Sequence, residues 1–359
     1  MTSRQDRIRR ELEIYREQRE VHELPEIFHY WSNRHLRPLE DEFGFSNPDE
    51  FLVKYLLEAA LVAGRETPQF ISLGAGNCDT EVRVAKALRE NGLRRFRFEC
   101  LELNPDMIQR GQQLAEEYGI RESMVFTRGD FNCWGADRKY DGVMANQSLH
   151  HMLELEKVFD EIRGSLHSHG YFVTSDMIGR NGHQRWPEAL EAVHRFWRQL
   201  PREYRYNHQL RRYEALYKNW DCSSEGFEGI RAQDILPLLL ERFHFHLFIG
   251  FSNVIDVFID RAFGHNFNAS SPADRDFIDR VHAYDEAGLR DGTLKPTHMM
   301  AVMTTRPVAS PAYSRGLSPA FCVRTPDEQS SGSAARKVSG VVRRWVRRKI
   351  RLLYRRTKR

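Results

Sequence analysis

The chain has 359 residues, 41% of them hydrophobic, which is enough for one large decorated domain or for two domains with ordinary cores. Its net charge of +4 conceals an asymmetry, because residues 336–359 hold twelve Lys or Arg and no acid, while the preceding part holds 42 basic and 50 acidic residues. The acidic body gives no general reason to bind nucleic acid, whereas the basic tail favours a polyanionic surface.

Five cysteines are widely spaced and form no C-x-x-C pair, which disfavours a disulfide framework or a cysteine zinc site. No apolar run has the length of a signal peptide core or of a membrane span. These features predict a cytoplasmic protein in a reducing compartment.

Residues 1–64 are predicted to form a helical, aromatic cap on the main domain. A charged helix with a narrow apolar stripe is expected over residues 4–23, and an aromatic segment follows it at residues 28–31. The sequence Asn47-Pro48-Asp49 is a typical helix start and predicts a second helix up to residue 63.

From Phe70 onward, short apolar strands alternate with amphipathic helices, which predicts an α/β fold with a mostly parallel sheet covered on both faces. After Asp176 this pattern gives way to a mainly helical, aromatic-rich insertion, about residues 183–225. Two further strands complete a Rossmann-like, seven-stranded domain over residues 65–306. The strands are predicted at residues 70–73, 96–103, 124–127, 142–145, 171–175, 243–249 and 298–304, with helices at 80–90, 105–118, 155–166, 232–242 and near 254–263.

The end of the chain divides into two predicted segments. Residues 307–335 are rich in Pro and Ser without an apolar period, which is typical of a flexible linker. Residues 336–359 resemble a basic amphipathic helix, with Trp345 on an apolar side and arginines on the other, as in helices at anionic membrane surfaces. RNA binding and partner-protein binding are the alternatives for this tail.

The stretch Phe70-Ile-Ser-Leu-Gly-Ala-Gly-Asn-Cys-Asp-Thr80 predicts a cofactor site. A strand that enters Gly74 and Gly76 and then a helix makes the sharp turn that lets a nucleotide-like ligand approach the backbone. Glu102 ends the next strand, where a carboxylate can accept hydrogen bonds from ribose hydroxyls. A dehydrogenase fingerprint would need a third glycine, and position 79 is Asp, so dinucleotide binding is disfavoured.

In this order, these residues resemble the class I S-adenosylmethionine-dependent methyltransferases over roughly residues 70–304. The resemblance implies that the glycine loop lies against the methionine portion of S-adenosylmethionine, that Glu102 holds the ribose and that an acid after the third strand faces the adenine. The cofactor-binding residues that it implies are Gly74, Ala75, Gly76, Glu102, Leu103, Asp130, Phe131, Asn146 and Gln147.

The chain departs from the family pattern at two positions of the loop. Ser72 stands where the family often has an acid, and Cys78 stands where it often has a third glycine. Asp79 or Glu81 could supply the missing carboxylate, although acids are also common at a helix start because they favour its dipole.

Methyl transfer from a sulfonium is an in-line displacement, so the protein aligns the acceptor, excludes water and, for a hydroxyl acceptor, removes a proton. His150 and His151 follow the fourth strand, and Asp176 ends the fifth, so these three are the predicted catalytic residues. The alternatives are an ordinary hydrogen-bonded histidine and a capped loop. His244 and His246 lack metal-ligand spacing, and no metal is predicted.

The acceptor is predicted from motifs that the chain lacks. It has no Asn-Pro-Pro-Tyr motif of nucleic-acid amino methyltransferases after the fourth strand and no Pro-Cys pair of cytosine-carbon enzymes. These absences favour a small-molecule or glycan acceptor, lipid-linked if the tail binds the inner membrane face. The predicted reaction is O-methylation of that acceptor. The alternatives are an RNA methyltransferase that uses the tail and a binding protein without catalysis.

Overall fold

The computed structural model describes residues 4–17, 23–224 and 226–326, except for the side chains of residues 11–17. The predicted tail, residues 336–359, lies outside the described residues. The strands are β1 Gln69–Leu73, β2 Arg97–Glu102, β3 Met124–Arg128, β4 Tyr140–Asn146, β5 Leu166–Met177, β6 Tyr206–Asn207, β7 Arg212–Tyr213, β8 His244–Phe251, β9 His298–Thr304 and β10 Ala312–Tyr313. The α-helices are α1 Arg4–Glu17, α2 Glu26–Trp31, α3 Arg37–Asp41, α4 Pro48–Ala63, α5 Asp79–Glu90, α6 Pro105–Glu117, α7 Leu155–Ser165, α8 Pro187–Trp197, α9 Ala232–Arg242, α10 Asp256–Ile259 and α11 Pro272–Asp291.

Eight strands form the central sheet, in the order β10-β8-β9-β5-β4-β1-β2-β3. Neighbours from β3 to β5 are parallel, and β9 is antiparallel to both β5 and β8. The carboxyl ends of β1, β2, β4 and β5 therefore meet at one edge of the sheet. The predicted Rossmann-like α/β fold is confirmed, with β10 as an additional eighth strand.

Local sequence explains where the elements around this edge begin and end. The Asn47 side chain accepts a hydrogen bond from the Glu50 N–H at the start of α4, and Gly64 ends that helix in the left-handed region. Asn104 caps α6 in the same way, just after β2. In β1 every residue after Gln69 is buried, as expected for a strand with helices on both sides.

The structure differs from the sequence prediction in two regions. The predicted helical insertion contains α8, but residues 198–224 are mostly irregular, with the short pair β6 and β7. The predicted linker begins too early, because β10 pairs with β8, and Arg324 forms an ion pair with Glu188 at 2.8 Å. Main-chain pairing and this partly buried ion pair make residues 312–324 part of the folded unit, although they lack an apolar period.

Among the described helices, none is long and apolar enough to cross a membrane.

Candidate active site

The glycine loop after β1 has the backbone geometry that its sequence predicts. Gly74 and Gly76 have φ values of +76° and +54°, a region that favours glycine. A Cβ on Gly74 would lie 2.8 Å from the Ser148 Cβ and 3.3 Å from the Phe131 ring. The Gly74 N–H donates to the Leu101 carbonyl at 2.9 Å, which fixes the loop to the end of β2.

Cys78 occupies the position of the missing third glycine without filling the loop. It has a φ of +56°, and its side chain is fully buried between α5 and α6. A Cβ on Gly111 of α6 would lie 2.7 Å from the Cys78 Cβ and 3.0 Å from its Sγ. The glycine that permits close approach is therefore on the opposite helix.

Glu102 is tied to the glycine loop by its own carboxylate. One oxygen accepts a hydrogen bond from the Gly76 N–H at 2.8 Å, and the other accepts from the Asn104 N–H at 2.9 Å. This carboxylate therefore stands at the carboxyl end of β2, in a fixed orientation, beside the turn that the cofactor approaches. The structure thus places Glu102 beside the glycine loop, and its role in holding the ribose stays a prediction.

A second carboxyl group lies beneath the same loop. Ser72 of β1 donates a hydrogen bond from Oγ to Oε1 of Glu81 at 2.7 Å, and both side chains are buried. Oε2 of Glu81 is also buried and has no hydrogen-bond partner among the described residues. Burial raises the pKa of Glu81 to about 7, against the lowering effect of the Ser72 hydroxyl. Asp79, by contrast, pairs with Arg83 at 2.8 Å.

Asp130 follows β3 and contacts the N-terminal helix. Its Oδ1 accepts from the Asn132 N–H at 2.8 Å, and its Oδ2 pairs with the Arg4 guanidinium of α1 at 2.5 Å. Three residues further along α1, Arg7 donates to the carbonyls of Ser223, at 2.8 Å, and Gly226. Helix α1 therefore bridges the predicted adenine side of the site and the insertion, a contact that no sequence pattern indicated.

The turn after β4 brings the next two predicted residues to the same sheet edge. Asn146 ends the strand, and Gln147, with a φ of +52°, donates its N–H to the Ser175 carbonyl of β5 at 2.8 Å. The Ser148 hydroxyl donates to the Leu73 carbonyl at 2.7 Å, which ties this turn to the end of β1.

Asp176 is the anchor of this turn. It is fully buried, and its Oδ2 accepts from the N–H groups of Ser148 and Leu149, at 2.9 and 2.7 Å. Its Oδ1 accepts from Met177 N–H at 2.8 Å and from Nδ1 of His150 at 2.6 Å. Because all four of these contacts are with protein groups, Asp176 positions His150 and the turn.

Three histidines lie around the carboxylate of Glu228. Its Oε1 lies 2.7 Å from Nε2 of His183 and 3.4 Å from Nε2 of His150, and its Oε2 lies 3.3 Å from Nε2 of His151. The side chains of His150, His183 and Glu228 are 4%, 19% and 37% exposed, so the group opens to solvent on the glutamate side. We call His150, His151, His183 and Glu228 the histidine cluster.

Charge within the histidine cluster follows from its burial. Burial opposes a charge on His150, but the carboxylates of Asp176 and Glu228 outweigh it and raise the pKa of the imidazole to about 10. Burial also opposes the charge of Glu228, but His151 and the hydrogen bonds from His150 and His183 hold its pKa well below the usual range. Burial lowers the pKa of His183. The two carboxylates beside His150 therefore favour the charged form of its imidazole.

The structure brings the predicted residues to one sheet edge in two groups. The first group, which we call the loop group, comprises the cofactor-binding candidates around the glycine loop. The second is the histidine cluster, which contains His150 and His151, with Asp176 behind them. General-base catalysis by any of the three stays a prediction. Sequence reasoning missed Glu228 and the role of His183, because 45 residues separate them and neither position has a local motif; the Gly182-Gly229 backbone contact at 2.8 Å brings them together.

S-adenosylmethionine fits the loop group on two structural grounds. The glycine turn has no Cβ at Gly74, where one would clash, and the Glu102 carboxylate is anchored beside it for the ribose hydroxyls. The buried, unpartnered Oε2 of Glu81 offers an acceptor for the methionine ammonium beneath the loop. When bound, the cofactor supplies an activated methyl group, while these residues hold and orient it.

Comparison with known proteins agrees with this fit. The model of a methyltransferase domain family matches residues 66–223, which span β1 to β7 and contain every predicted site residue. Among curated proteins, no match is significant.

Solved structures give weaker similarities. The chain is similar to geranyl diphosphate C-methyltransferase from Streptomyces coelicolor A3(2), with 11% identity and a TM-score of 0.46 over 85% of this chain and 100% of that chain. It is also similar to the O-methyltransferase of a trans-AT PKS multienzyme from Brevibacillus brevis, with 12% identity and a TM-score of 0.44 over 80% of this chain and 85% of that chain. Such low identities and scores decide nothing about the acceptor. The family match, on a loop whose glycines and tethered acid fit S-adenosylmethionine, identifies residues 66–223 as a class I S-adenosylmethionine-dependent methyltransferase domain.

Proposed function

We propose that this methyltransferase transfers its methyl group to a hydroxyl oxygen of a small or glycan-like acceptor. The observation that carries the proposal is the histidine cluster at the carboxyl edge of β4 and β5. The histidine cluster begins three residues after Gln147, which is a cofactor-binding candidate. The groups proposed to contact the acceptor therefore follow the cofactor site directly in the sequence. Nitrogen and oxygen atoms of His151 and Glu228, which are 15% and 37% exposed, can accept the hydrogen of an acceptor hydroxyl.

The insertion supports a hydroxylated acceptor. Most of its aromatic side chains are core: Trp186 is 9% exposed and Trp197 is fully buried. Trp220 differs, because it is 46% exposed, and the next residue, Asp221, contacts the Gly182 turn that carries His183. An exposed indole at this position can stack on a sugar or a phenol ring.

Methyl transfer to a panel of acceptors tests the proposal. Full-length protein would be incubated with S-adenosylmethionine and hydroxylated sugars, phenols or RNA, and S-adenosylhomocysteine release would be measured. We expect a sugar or phenol to give an O-methyl ether, identified by the NMR shift of the new methyl group. A product methylated only on carbon or nitrogen would contradict the proposal. Glu102→Ala is the cofactor-site control, because it should remove S-adenosylhomocysteine binding and turnover together.

RNA methylation is the second candidate, and the basic residues 336–359 favour it. It predicts methyl incorporation into RNA and a salt-dependent RNA affinity that is lost when residues 336–359 are deleted. The 42 basic and 50 acidic residues of the preceding part favour a small acceptor instead.

We also propose, from the sequence of the tail alone, that residues 336–359 bind the inner face of a membrane in the cytoplasm, close to a lipid-linked acceptor. Flotation with vesicles of anionic and of zwitterionic lipid tests this proposal. Binding to anionic vesicles that is lost without the tail would support it, and a full-length chain that stays in solution with both vesicle types would contradict it.

A further inference from the structure

The histidine cluster has the composition of a metal site. Among the described residues, His150, His183 and Glu228 each offer one ligand atom, and these atoms all lie within 4.8 Å of one another. In a tetrahedral site with bonds of about 2.0–2.1 Å, ligand atoms are about 3.3 Å apart. The contacts of Glu228 Oε1, at 3.4 Å to His150 and 2.7 Å to His183, bracket that spacing. Small side-chain movements would therefore place a cation between the three.

A second observation concerns the orientation of His150. Its Nδ1 donates to the buried Asp176 at 2.6 Å, which directs Nε2 toward Glu228. A carboxylate that holds the far nitrogen of a histidine is the usual outer-shell partner of a metal-bound imidazole.

The third ligand is held by a strained turn. His183 has a φ of +54°, which is uncommon for a residue with a side chain, and Gly182 before it also has a positive φ. The turn is fixed to the Glu228 segment, because the Gly182 N–H donates to the Gly229 carbonyl at 2.8 Å. The same contact therefore positions both His183 and Glu228.

We propose that His150 Nε2, His183 Nε2 and the Glu228 carboxylate bind a divalent first-row transition metal ion, and that the acceptor oxygen completes its coordination. Two histidines and one carboxylate with an open position are typical of catalytic Zn²⁺ and Fe²⁺ sites. No metal was predicted from the sequence, where only the spacing of His244 and His246 was considered; the three ligands proposed here come together only in the fold.

The metal has a defined part in the reaction, which rests on the proposed O-methylation. A hydroxyl bound to a divalent cation loses its proton to water at lower pH than a free hydroxyl. The oxygen then forms the new O–CH₃ bond as the S–CH₃ bond breaks, and the electron pair stays on sulfur. No oxidation or reduction occurs.

Metal binding is tested without any acceptor. Untagged full-length protein, treated with a chelator and then freed of it, would be titrated with Co²⁺ while the visible absorption of the bound ion is followed. We expect one equivalent to bind and to be displaced by Zn²⁺. His183→Ala and Glu228→Gln should each weaken binding at least about 100-fold, beyond the roughly 10–100-fold typical of an outer-shell partner.

A matched control lies near the opposite edge of the sheet, where His246 faces Glu58 at 3.8 Å. His246→Ala and Glu58→Gln should leave the Co²⁺ titration unchanged. Wild-type protein that binds no Co²⁺ would overturn the proposal, as would variants of His183 and Glu228 that bind like the wild type. Circular dichroism and S-adenosylhomocysteine binding show whether each variant is folded. If the His183 or the Glu228 variant does not fold, His150→Ala is a third variant.

The titration separates this inference from the proposed function. If the chain binds Co²⁺ through these ligands but forms no O-methyl product, O-methylation fails and the metal site stands. If methyl ethers form at an unchanged rate in the chelator-treated protein, the metal site fails and O-methylation stands.

Discussion

Glu81 of α5 is bonded to Ser72 of β1, the position where class I methyltransferases often carry an acid. The Ser72 hydroxyl donates to Oε1 of Glu81 at 2.7 Å, which leaves Oε2 buried beneath the glycine loop. The sequence left Asp79 and Glu81 as candidates for the missing acid, with an ordinary helix start as the alternative for both, and the structure separates them because Asp79 pairs with Arg83. The carboxyl group is thus retained near the loop but comes from the helix.

We expect S-adenosylhomocysteine to bind about tenfold more tightly at about pH 8 than at about pH 6. Burial raises the pKa of Glu81 from 4.5 to about 7, so the side chain is mostly neutral at the lower pH and mostly charged at the higher one. Only the charged form attracts the ligand ammonium. In the ligand-free protein, the stability of the fold depends on pH in the opposite direction. The stability that neutral Glu81 contributes is complete below pH 4.5 and is lost as the pH rises to about 7. Calorimetric titration across this range measures the affinity.

Glu81→Gln should remove this pH dependence and weaken binding at the higher pH, whereas Asp79→Asn should retain it. The other titratable groups that interact with Glu81 are Asp79, Arg83, Cys78 and Cys100, and Arg83 stays charged throughout this range. An equal pH dependence in wild type and Glu81→Gln would show that another group is responsible.

Sequence patterns predicted those parts of the molecule that depend on local periodicity. Strands β1 to β5 and their helices follow from apolar runs and caps, and the two glycines and Glu102 lie in one such unit. The sequence analysis missed the longest described helix, α11, although Ser271, Pro272 and Gly292 are ordinary start and stop residues. Capping signals alone would have found it.

The parts that could not be predicted depend on long-range contacts. Glu228 meets histidines that lie 45 to 78 residues before it in the sequence, and Arg4 meets Asp130 over a separation of 126 residues. No periodicity in the sequence encodes such partners, because they come into contact only when loops that are distant in sequence meet at one edge of the sheet. The histidine cluster could therefore be identified only from the structure.

Gly111→Ala should lower the free energy of unfolding by about 1–3 kcal/mol. The new methyl group would lie 2.7 Å from the Cys78 Cβ and 3.0 Å from the Phe126 ring, both well inside van der Waals distance. Urea denaturation measures the change. Gly135→Ala is the control, because its Cβ would meet nothing within 4 Å and its φ is not positive.

Cys78→Gly should rescue part of the loss caused by Gly111→Ala, because it removes the Cys78 Cβ and Sγ atoms that the new methyl group meets and leaves the contact with the Phe126 ring. It also places glycine at a φ of +56°. The two single variants and the double variant form a thermodynamic cycle, whose coupling energy should be about 1 kcal/mol or more. If the changes in unfolding free energy of the two single variants simply add in the double variant, contact with Cys78 is not the cause of the loss.

Helix α1 should slow the release of S-adenosylhomocysteine. Arg4 pairs with Asp130 on the predicted adenine side, and Arg7 contacts the insertion. Arg4→Ala combined with Arg7→Ala should therefore raise the dissociation rate, measured by ligand displacement in a stopped-flow instrument. Arg9→Ala is the matched control on the same helix, since Arg9 is 73% exposed and lies 3.8 Å from Asp6. Slower release from the double variant would mean that Arg4 competes with the ligand for Asp130.

Asp176→Asn should destabilise the protein by about 2–4 kcal/mol, a fall in Tm of roughly 3–6 °C for a folded unit of this size. Each oxygen of Asp176 accepts two hydrogen bonds, so whichever oxygen becomes an amide nitrogen must face two donors in a fully buried site. One pair of donors is Ser148 N–H with Leu149 N–H, and the other is Met177 N–H with His150 Nδ1.

Differential scanning calorimetry of Asp176→Asn and of Asp160→Asn tests this expectation. Asp160 pairs with Arg242 at 3.0 Å, but its side chain is 64% exposed, so its loss should change stability by less than about 1 kcal/mol. A Tm for Asp176→Asn as high as that of the Asp160 variant would contradict the anchoring role. Because the same carboxylate orients His150, Asp176→Asn should also disturb the histidine cluster, whereas Asp160→Asn should leave it unchanged.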